Sequence, residues 1–548
     1  MTTAELFAAA LEHQQAGHWA EAEAEYREIL ARDRNAADAH YNLGCVLNAT
    51  GRPAWAATCF RAALAVRPAF PEAANNLGNA LRASGQIEES ALAYRVDTAI
   101  KPDFALAWNN LGAVLKDLGR LDDAGTCLDR AIAADPHHPG YASNRAYFAH
   151  YLPALSPDDH RREAERWATI HAAPVQPARF TYANDRSPDR RLRIGYVSPD
   201  FRDHCQAMFT LPLLRHHDHA DVEIYCYADV GRPDGFTERL QAHANVWRSV
   251  RGLSDEQLAA GIRADAIDIL VDLTQHMAGN RLPVFARKPA PVQVSWLGYP
   301  GTTGLDTMDW RLTDPRLDPP GTHDDHYTER SYRLPDAFWC YDPLATEPAV
   351  NPLPATAAGH VTFGCLNNFC KLHDGVFALW RRVLAAVPGS RLLLLAPPGE
   401  VREPIASKLG IDPGRLEFTT FVPRADYLAL HHRIDVMLDP FPYNGHTTTL
   451  DALWMGVPAV SLCGDSAVSR AGLSLLTQVG LADLVTTTAD DYVARAMQLA
   501  QNSARLAALR ASLRTTLERS PLMDAPRFAR NVESAYRAMC REWCANSA

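Results

Sequence analysis

The first quarter of the chain repeats one pattern of apolar and polar positions every 34 residues. Five kinds of residue recur at this step: glycine (Gly17, Gly51, Gly85, Gly119), a small residue (Ala22, Ala56, Ser90, Ala124), a large apolar residue (Tyr26, Phe60, Tyr94, Leu128), asparagine (Asn42, Asn76, Asn110, Asn144) and proline (Pro68, Pro102, Pro136). This pattern predicts pairs of helices, with glycine in the turn between them and proline after the second helix. We therefore predict an α-helical repeat solenoid over residues 1–150.

The four asparagines fall in the first helix of each predicted pair, on the face expected to line a concave groove. An amide side chain both donates and accepts hydrogen bonds, so a row of amides can hold an extended polypeptide regardless of its sequence. Alternatively, each asparagine bonds to a neighbouring helix or to solvent. We favour the first interpretation and predict a polypeptide-binding groove.

From about residue 191 the periodicity changes. Short β-branched and aromatic runs alternate with helical stretches, which predicts parallel sheets with crossover helices. The runs are RLRIGYVS, VEIYCYA, AIDILVDL and VQVSWLGY, then HVTFGCL, SRLLLLA, RLEFTTF, DVMLDPF and PAVSLCG; a Pro- and Ala-rich stretch after Cys340 separates the two series. We predict an α + α/β multidomain chain, with a helical linker over 151–190 and Rossmann-like lobes over 191–350 and 351–548.

The segment DPFPYNGHTTTLDALWMGVPAVS has the strongest chemical signal. A strand ends there, a turn follows, and a helix is predicted to begin near Thr447. A helix N-terminus suits a diphosphate because its free N–H groups and positive dipole end face the anion. His446, Thr447 and Thr448 add donors, and Asp451 can accept from ribose hydroxyls. A single threonine could simply cap the helix, but three consecutive threonines exceed that need.

Other strand ends carry further candidate groups, because ligands bind at the carboxyl ends of parallel strands. Lys371 follows HVTFGCL, where an ammonium could neutralise a leaving diphosphate. A surface lysine is the commoner case, but only five of the 54 basic residues are lysines, which favours a functional one. His204 follows RLRIGYVS and could act as a general base or position a substrate. Pro300 and Gly301 follow VQVSWLGY, where glycine permits close approach of a ligand.

Composition and charge restrict the function classes. The 548 residues are 22% charged with a formal net charge of −10, so we predict no nucleic-acid partner. We find no basic and apolar leader at the N-terminus and no apolar run near the ~18–20 residues of a membrane span. The 11 cysteines include no CxxC pair. We therefore predict a cytoplasmic protein with reduced thiols and no membrane association.

Five segments, in this order, resemble those of glycosyltransferase family 41, which comprises protein O-GlcNAc transferases and SPINDLY-type proteins. They are GYVSPDF, ILVDLT, RKPAPVQVSWLGYPGTTG, FGCLNNFCK and PFPYNGHTTTLDALWMGVPAV, and the repeats resemble tetratricopeptide repeats. The resemblance implies a GT-B fold and inverting transfer of GlcNAc from UDP-GlcNAc to Ser or Thr hydroxyls of proteins. It implies no metal and no other cofactor. In agreement, no two aspartates stand at i and i+2, the spacing of the metal-holding pair in many sugar transferases.

The resemblance also assigns roles to matched positions. His204 matches the active-site histidine, Lys371 the lysine on the diphosphate, and Asp265 an acidic residue discussed as a base. The implied donor-binding residues are Asn368, Arg424, Tyr427, His446, Thr447, Thr448, Asp451, Pro300 and Gly301. The implied acceptor-peptide residues are Asn42, Asn76, Asn110 and Asn144.

Departures from the family pattern keep alternatives open. Gln275 and Met277 replace the usual Gly and Thr, and Tyr427 replaces a uracil-contacting histidine. The segments LPDAFWCYDP and SLLTQVGL look more like SPINDLY, whose plant members use GDP-fucose, whereas His446 and Asp451 follow the O-GlcNAc transferase pattern. We favour UDP-GlcNAc over protein O-fucosylation from GDP-fucose and over a non-catalytic repeat scaffold. The asparagine row disfavours a glycan or lipid-linked acceptor, and the sequence leaves homodimer formation open.

Overall fold

Four helix pairs make up the first 136 residues of the computed structural model, which describes residues 1–546. The helices are α1 (Thr3–Ala16), α2 (Trp19–Arg32), α3 (Ala37–Ala49), α4 (Pro53–Val66), α5 (Pro71–Ala83), α6 (Ile87–Ile100), α7 (Ala105–Asp117) and α8 (Leu121–Ala134). The turn glycines Gly17, Gly51, Gly85 and Gly119 have φ of 78°, 79°, 78° and 70°. The left-handed turn that the 34-residue period predicts is therefore present in each pair.

A second glycine in the repeats explains how closely the two helices of a pair approach. A Cβ added to Gly78 would lie 2.5 Å from the Tyr94 ring, and one on Gly44 would lie 2.6 Å from the Phe60 ring. Since both rings are fully buried, only glycine fits opposite them. The tetratricopeptide-type packing predicted from the sequence is confirmed.

The repeat-containing unit ends earlier than the sequence suggests. It comprises residues 1–136 with two short segments, 368–370 and 396–405, and the remaining described residues form a second unit. Helix α9 (Pro139–Ala149) packs on α10 (Pro157–Trp167) in that second unit, and Trp167 Nε1 donates to the Pro139 carbonyl at 2.9 Å. The ninth helix therefore packs with the linker helix, and the domain boundary at residue 150 stays a prediction.

The second unit contains two parallel sheets, each doubly wound. The first has the order β3-β2-β1-β4-β5-β6-β7 and the second β10-β9-β8-β11-β12-β13. The strands are β1 (Leu192–Ser198), β2 (Val222–Ala228), β3 (Val246–Ser249), β4 (Ile269–Asp272), β5 (Val292–Ser295), β6 (Trp310–Thr313), β7 (Arg330–Arg333), β8 (Thr362–Cys365), β9 (Arg391–Leu395), β10 (Leu416–Thr419), β11 (Val436–Leu438), β12 (Ala459–Leu462) and β13 (Val485–Thr486). The winding reverses between β1 and β4 and again between β8 and β11, so each sheet has a ligand crevice at the carboxyl ends of those strands.

Helices cover both sheets, and the last one returns to the first lobe. The first lobe has α11 (Ala207–His216), α12 (Gly235–Gln241), α13 (Asp255–Ala264) and α14 (Leu282–Ala286); α15 (Pro354–Ala358), α16 (Asp374–Ala386), α17 (Ile405–Leu409), α18 (Arg424–Leu430), α19 (Thr447–Trp454), α20 (Ala471–Gln478), α21 (Ala489–Gln501), α22 (Ser503–Glu518) and α23 (Ala525–Ala545) follow. Helix α23 packs on α11, with the Tyr536 hydroxyl 3.3 Å from that of Tyr196. The last helix of the predicted second lobe, 351–548, therefore packs on the first lobe. Ser547 and Ala548 lie outside the described residues.

Candidate active site

The buried carboxyl group of Asp439 holds the turn between β11 and α19 in place. Asp439 accepts from the Gly445 amide and from the Ser461 hydroxyl, both at 2.7 Å, and burial raises its pKa to about 6. A Cβ on Gly445 would lie 2.5 Å from Thr448 Oγ1, so the turn requires glycine there. Helix α19 then begins at Thr447, as the sequence predicts, and its first turn presents N–H groups without intrahelical acceptors.

Lys371 points to this turn. Its Nζ donates to the Asn444 carbonyl at 2.7 Å and to Asn367 Oδ1 at 3.2 Å. The same Oδ1 accepts from the Thr448 hydroxyl at 2.9 Å, so the buried Asn367 joins the cation to the start of α19. Sequence reasoning named Asn368 instead, which is exposed; the presence of two adjacent asparagines gave no sign of which one turns inward.

His446 precedes α19 and is held as a neutral imidazole. Burial lowers its pKa well below the ordinary value, and the charge of Lys371 lowers the pKa further. Its ring lies 5.1 Å from that of Trp339 and 5.3 Å from that of Tyr443. Its Nε2 is buried and has no hydrogen-bond partner within residues 1–546, which leaves this atom for a ligand or a water.

Asp451 is already engaged by the protein. Its carboxylate receives both ends of the Arg424 guanidinium, at 2.6 and 2.7 Å, and the Tyr341 hydroxyl at 2.5 Å. Arg424 also donates to the Pro343 carbonyl at 3.2 Å. Tyr427 lies on the same helix as Arg424, whose guanidinium is 5.7 Å from its ring. These three predicted donor-binding residues therefore lie together, but a ribose hydroxyl would have to share the carboxylate with Arg424.

In the first lobe, His204 follows the carboxyl end of β1. Its Nδ1 lies 3.8 Å from an oxygen of Asp200, and the Gln206 amide donates to the same nitrogen at 3.4 Å. Burial alone would lower the pKa of His204, but the contact with the Cys205 thiol and the charge of Asp200 outweigh it, so the pKa is raised. A half-buried histidine with a raised pKa is suited to accept a proton.

The turn with Pro300 and Gly301 is buried in the first lobe. A Cβ on Gly301 would lie 2.4 Å from the Tyr299 ring and 3.2 Å from Gln275 Oε1, so its close neighbours are this chain's own side chains. Gln275 has a φ of +49° and donates to the Ser295 hydroxyl at 2.9 Å. Gln275 therefore has a left-handed backbone conformation, which residues other than glycine seldom adopt.

Asp265 is not brought together with His204. It follows α13 and precedes β4, at the amino edge of the sheet, where Arg248 Nε and the Tyr227 hydroxyl donate to its carboxylate at 2.6 and 2.7 Å. His204 follows the carboxyl end of β1, which pairs directly and in parallel with β4. The two residues therefore lie at opposite edges of one sheet.

The segment that connects the lobes contacts candidate groups of both. The Phe209 ring on α11, just after His204 in the chain, lies 6.2 Å from the ring of Tyr341, which donates to Asp451 on α19. Trp339, two residues before Tyr341, contacts the His446 ring. The crevices of the two sheets are therefore linked through these aromatic side chains.

The four asparagines of the repeats are half-buried. The amides of three of them donate within the array, from Asn42 to the Asp38 carbonyl (2.9 Å), from Asn76 to the Tyr41 hydroxyl (3.2 Å) and from Asn110 to Asn75 Oδ1 (2.9 Å). Bonding to a neighbouring helix therefore occurs for two of them in the structure, and binding of an acceptor peptide stays a prediction.

The described residues contain neither a cluster suited to a metal ion nor a helix suited to cross a membrane. No cluster of three or more His, Cys, Asp or Glu side chains placed to hold a metal ion occurs between residues 1 and 546. None of the helices in this range combines the length and apolar character needed to cross a membrane. Independence from metal stays a prediction.

A family model described as glycosyl transferase family 41 matches residues 154–348 and 344–532, more than half of the chain. The chain belongs to glycosyl transferase family 41. Models described as tetratricopeptide repeats match residues 7–57, 47–98 and 105–138, in the part of the chain that precedes the family 41 region.

Relatives of this family 41 chain include named transferases. The Solanum lycopersicum protein named probable UDP-N-acetylglucosamine–peptide N-acetylglucosaminyltransferase SPINDLY is 38% identical over 75% of this chain and 45% of its own length. The Arabidopsis thaliana protein with the same enzyme name and the suffix SEC is 32% identical over 65% of this chain and 38% of its own length. The chain thus spans about half the length of the curated relatives it matches, or less.

A solved structure covers nearly the whole chain. It is that of a mutant of the Thermobaculum terrenum O-GlcNAc transferase, which is 36% identical, has a TM-score of 0.87, and aligns over 94% of this chain and 99% of its own. The predicted fold class, helical repeats followed by the two parallel α/β lobes of a GT-B fold, is confirmed.

Proposed function

We propose that the chain is an inverting glycosyltransferase that moves GlcNAc from UDP-GlcNAc to Ser or Thr hydroxyls of proteins, without a metal cofactor. One observation carries the proposal: Lys371 and Thr448 converge on Asn367 at the start of α19, at the reversal point of the second sheet. The enzyme names of the tomato and Arabidopsis relatives support the same donor.

The proposed donor site handles diphosphate charge with fixed protein groups. The ammonium of Lys371, the N–H groups of the first turn of α19 and the Thr447 and Thr448 hydroxyls all favour negative charge. These groups are positioned before the substrate arrives, so they stabilise the charge that grows on the leaving diphosphate more than the bound ground state. Asp451 and Arg424 together would hold the ribose.

In the proposed transfer, the acceptor hydroxyl oxygen attacks the anomeric carbon of GlcNAc on the face opposite the diphosphate. The new C–O bond forms as the bond to the β-phosphate oxygen breaks, and UDP leaves with that electron pair. His204, with Asp200 behind it, accepts the hydroxyl proton. Asp265 has no part in this step because it lies at the other edge of the sheet.

The second candidate donor is GDP-fucose, which the SPINDLY-like segments LPDAFWCYDP and SLLTQVGL favour. Calorimetric titration with UDP, UDP-GlcNAc, GDP and GDP-fucose, followed by nucleotide release with and without a Ser/Thr peptide, separates the possibilities. We expect binding of the uridine nucleotides and peptide-dependent release of UDP that EDTA leaves unchanged. Binding of guanosine nucleotides alone would establish GDP-fucose as the donor. Binding of none of the four ligands would support a non-catalytic repeat scaffold.

A matched pair of lysine variants tests the diphosphate site. Lys371→Met should lower kcat/KM about 10²–10³-fold, the usual effect of losing one stabilising group for developing charge. Lys408→Met is the control, since Lys408 forms an exposed ion pair with Asp374 on the surface. Equal activities of the two variants would contradict the proposed role of Lys371.

A further inference from the structure

Tyr443 lies in the turn between β11 and α19, and its ring is 6% exposed. The ammonium of Lys371 lies 4.3 Å from the centre of that ring, and the His446 ring lies 5.3 Å away. The ring of Tyr151 stacks on Tyr443, with centres 5.2 Å apart and planes inclined by 30°. One buried aromatic ring thus contacts both titratable groups of the proposed diphosphate site.

Tyr151 is itself fixed by a second tyrosine. Its hydroxyl donates to that of Tyr147 at 2.7 Å, and the two rings meet edge to face at 5.5 Å. The Tyr147 ring in turn lies 5.0 Å from that of Tyr299, next to Pro300 in the first lobe. Tyr147 is on α9, one helical turn after Asn144. Tyrosines from α9 and its end therefore reach the binding turns of both lobes.

The Lys371 ammonium needs contacts that fix its position, because the lysine side chain is flexible. A lysine ammonium is a compact charge on a flexible four-carbon stem, so its position is set by its surroundings. Two hydrogen bonds, to Asn444 and Asn367, fix it from the polar side. An aromatic face attracts a cation and does so more strongly where water is excluded, as it is at this buried ring. The Tyr443 ring and the two hydrogen bonds therefore together fix the position of the Lys371 ammonium.

We propose that Tyr443 and Tyr151 are positioning residues that hold Lys371 where the donor diphosphate binds, with Tyr443 in contact with the cation and Tyr151 supporting Tyr443. This inference rests on the proposed function, because it takes a diphosphate as the ligand of Lys371. It assigns a role to two residues that the motifs did not mark, and it ties the end of α9 to the donor site.

The test compares affinities for UDP and for uridine, measured by calorimetry on the full chain. Tyr443→Leu and Tyr151→Leu should weaken UDP binding about three- to tenfold, the range of a partly buried cation–ring contact, and leave uridine binding unchanged. Tyr443→Phe should restore UDP binding to within about twofold of the unaltered chain. Tyr332→Leu, on the edge strand β7, is the control and should bind both ligands normally.

A double-variant cycle isolates the contact. In a Lys371→Met background, Tyr443→Leu should cause no further loss of UDP affinity, because the cation it positions is gone. The inference is overturned if Tyr443→Leu binds UDP normally, or if UDP and uridine affinities fall together as in general loss of structure. Failure of the unaltered chain to bind UDP or any other nucleoside diphosphate would instead overturn the proposed function.

Discussion

Arg424 and Asp451 form a two-pronged ion pair in which both carboxylate oxygens are engaged, and this pair joins helices α18 and α19. Burial alone would lower the pKa of Arg424, but hydrogen bonding and the charge of Asp451 outweigh it and raise the pKa. Asp451 is 1% exposed. The carboxylate predicted from sequence to meet a ribose is thus oriented by an arginine before any ligand binds.

Removing either the charge or the fork geometry should disturb this pair. Asp451→Asn leaves a largely buried guanidinium with a neutral partner, which we expect to cost about 2–4 kcal/mol of folding free energy. Arg424→Lys keeps the charge but loses the planar fork, and should raise the KM for the donor about tenfold with a smaller stability loss. Thermal melts and donor saturation curves measure both effects.

The control for this pair is Arg382→Ala, which removes an exposed ion pair with Asp490 and should change neither quantity. An Asp451→Asn protein that melts with the unaltered chain would show that the pair contributes no net stability.

The pH dependence of transfer should report on His204. A base must be neutral to accept a proton, and the pKa of His204 is raised above its ordinary 6.5. We therefore expect kcat/KM to rise with pH along an acid limb centred above pH 6.5. Asp200→Asn should shift this limb to lower pH, because the carboxylate favours the imidazolium. His204→Gln should lower the rate about 10²–10⁴-fold and remove the limb; a limb that persists there would assign the proton to another group.

Asp97 should destabilise the third helix pair above neutral pH. It is fully buried in α6, neither carboxylate oxygen has a hydrogen-bond partner within residues 1–546, and burial raises its pKa to about 7. The folded chain thus holds a proton that the unfolded chain releases near pH 4, so stability falls as pH rises from about 4 to about 7. Alanine occupies the equivalent positions 63 and 131, one repeat away.

Asp97→Ala should therefore stabilise α6 by about 2–4 kcal/mol at pH 8 and by little below pH 4. Amide hydrogen exchange of residues 87–100 at several pH values measures the free energy of local opening. Asp103→Ala, at an exposed aspartate outside the helix, is the control. A pH-independent gain would mean that Asp97 acts by packing alone.

The asparagine row is tested by separating acceptor from donor binding. Asn76→Ala with Asn110→Ala should raise the KM for a protein acceptor about tenfold and leave UDP affinity unchanged. The same change removes two hydrogen bonds within the array, worth about 1 kcal/mol each. Asn35→Ala, in the exposed loop before α3, serves as the control. Lost stability with an unaltered KM would support bonding between helices as their sole role.

The sequence predicted the elements whose pattern is local. Four repeats set the helix pairs, and nine apolar runs each contain a strand. The strands WRLT (β6) and RSYR (β7) were not predicted, because arginines interrupt their apolar pattern. In β6, Arg311 is nonetheless fully buried, paired with Asp318 at 2.9 Å and 3.6 Å from the centre of the Tyr327 ring. A strand with a buried arginine can be recognised only when the acidic partner of that arginine is known. Here the partner, Asp318, lies in a loop that follows the strand.

Motifs at strand ends predicted several groups that lie together in the structure, whereas the directions of side chains and strands were not predicted. Lys371 and Thr448 were both predicted, but Asn367, which joins them, depends on which of two adjacent amides turns inward. Asp265 was carried over from a resemblance, yet its place before β4 puts it at the amino edge. Strand polarity, combined with the parallel pairing of β1 and β4, would have excluded it from the His204 centre.

Helix α23 packs on the first lobe, and this restricts which residues can be exchanged between relatives in a hybrid protein. Its Glu533 carboxylate lies 2.8 Å from His217 Nδ1, and its Phe528 ring lies 5.8 Å from that of Trp296, both residues of the first lobe. A hybrid that borrows nucleotide preference from another protein must therefore replace only residues 351–524 and keep residues 525–545 from the host. A hybrid that takes every residue after 350 from another protein would place the last helix of that protein against the first-lobe surface that packs on the native α23.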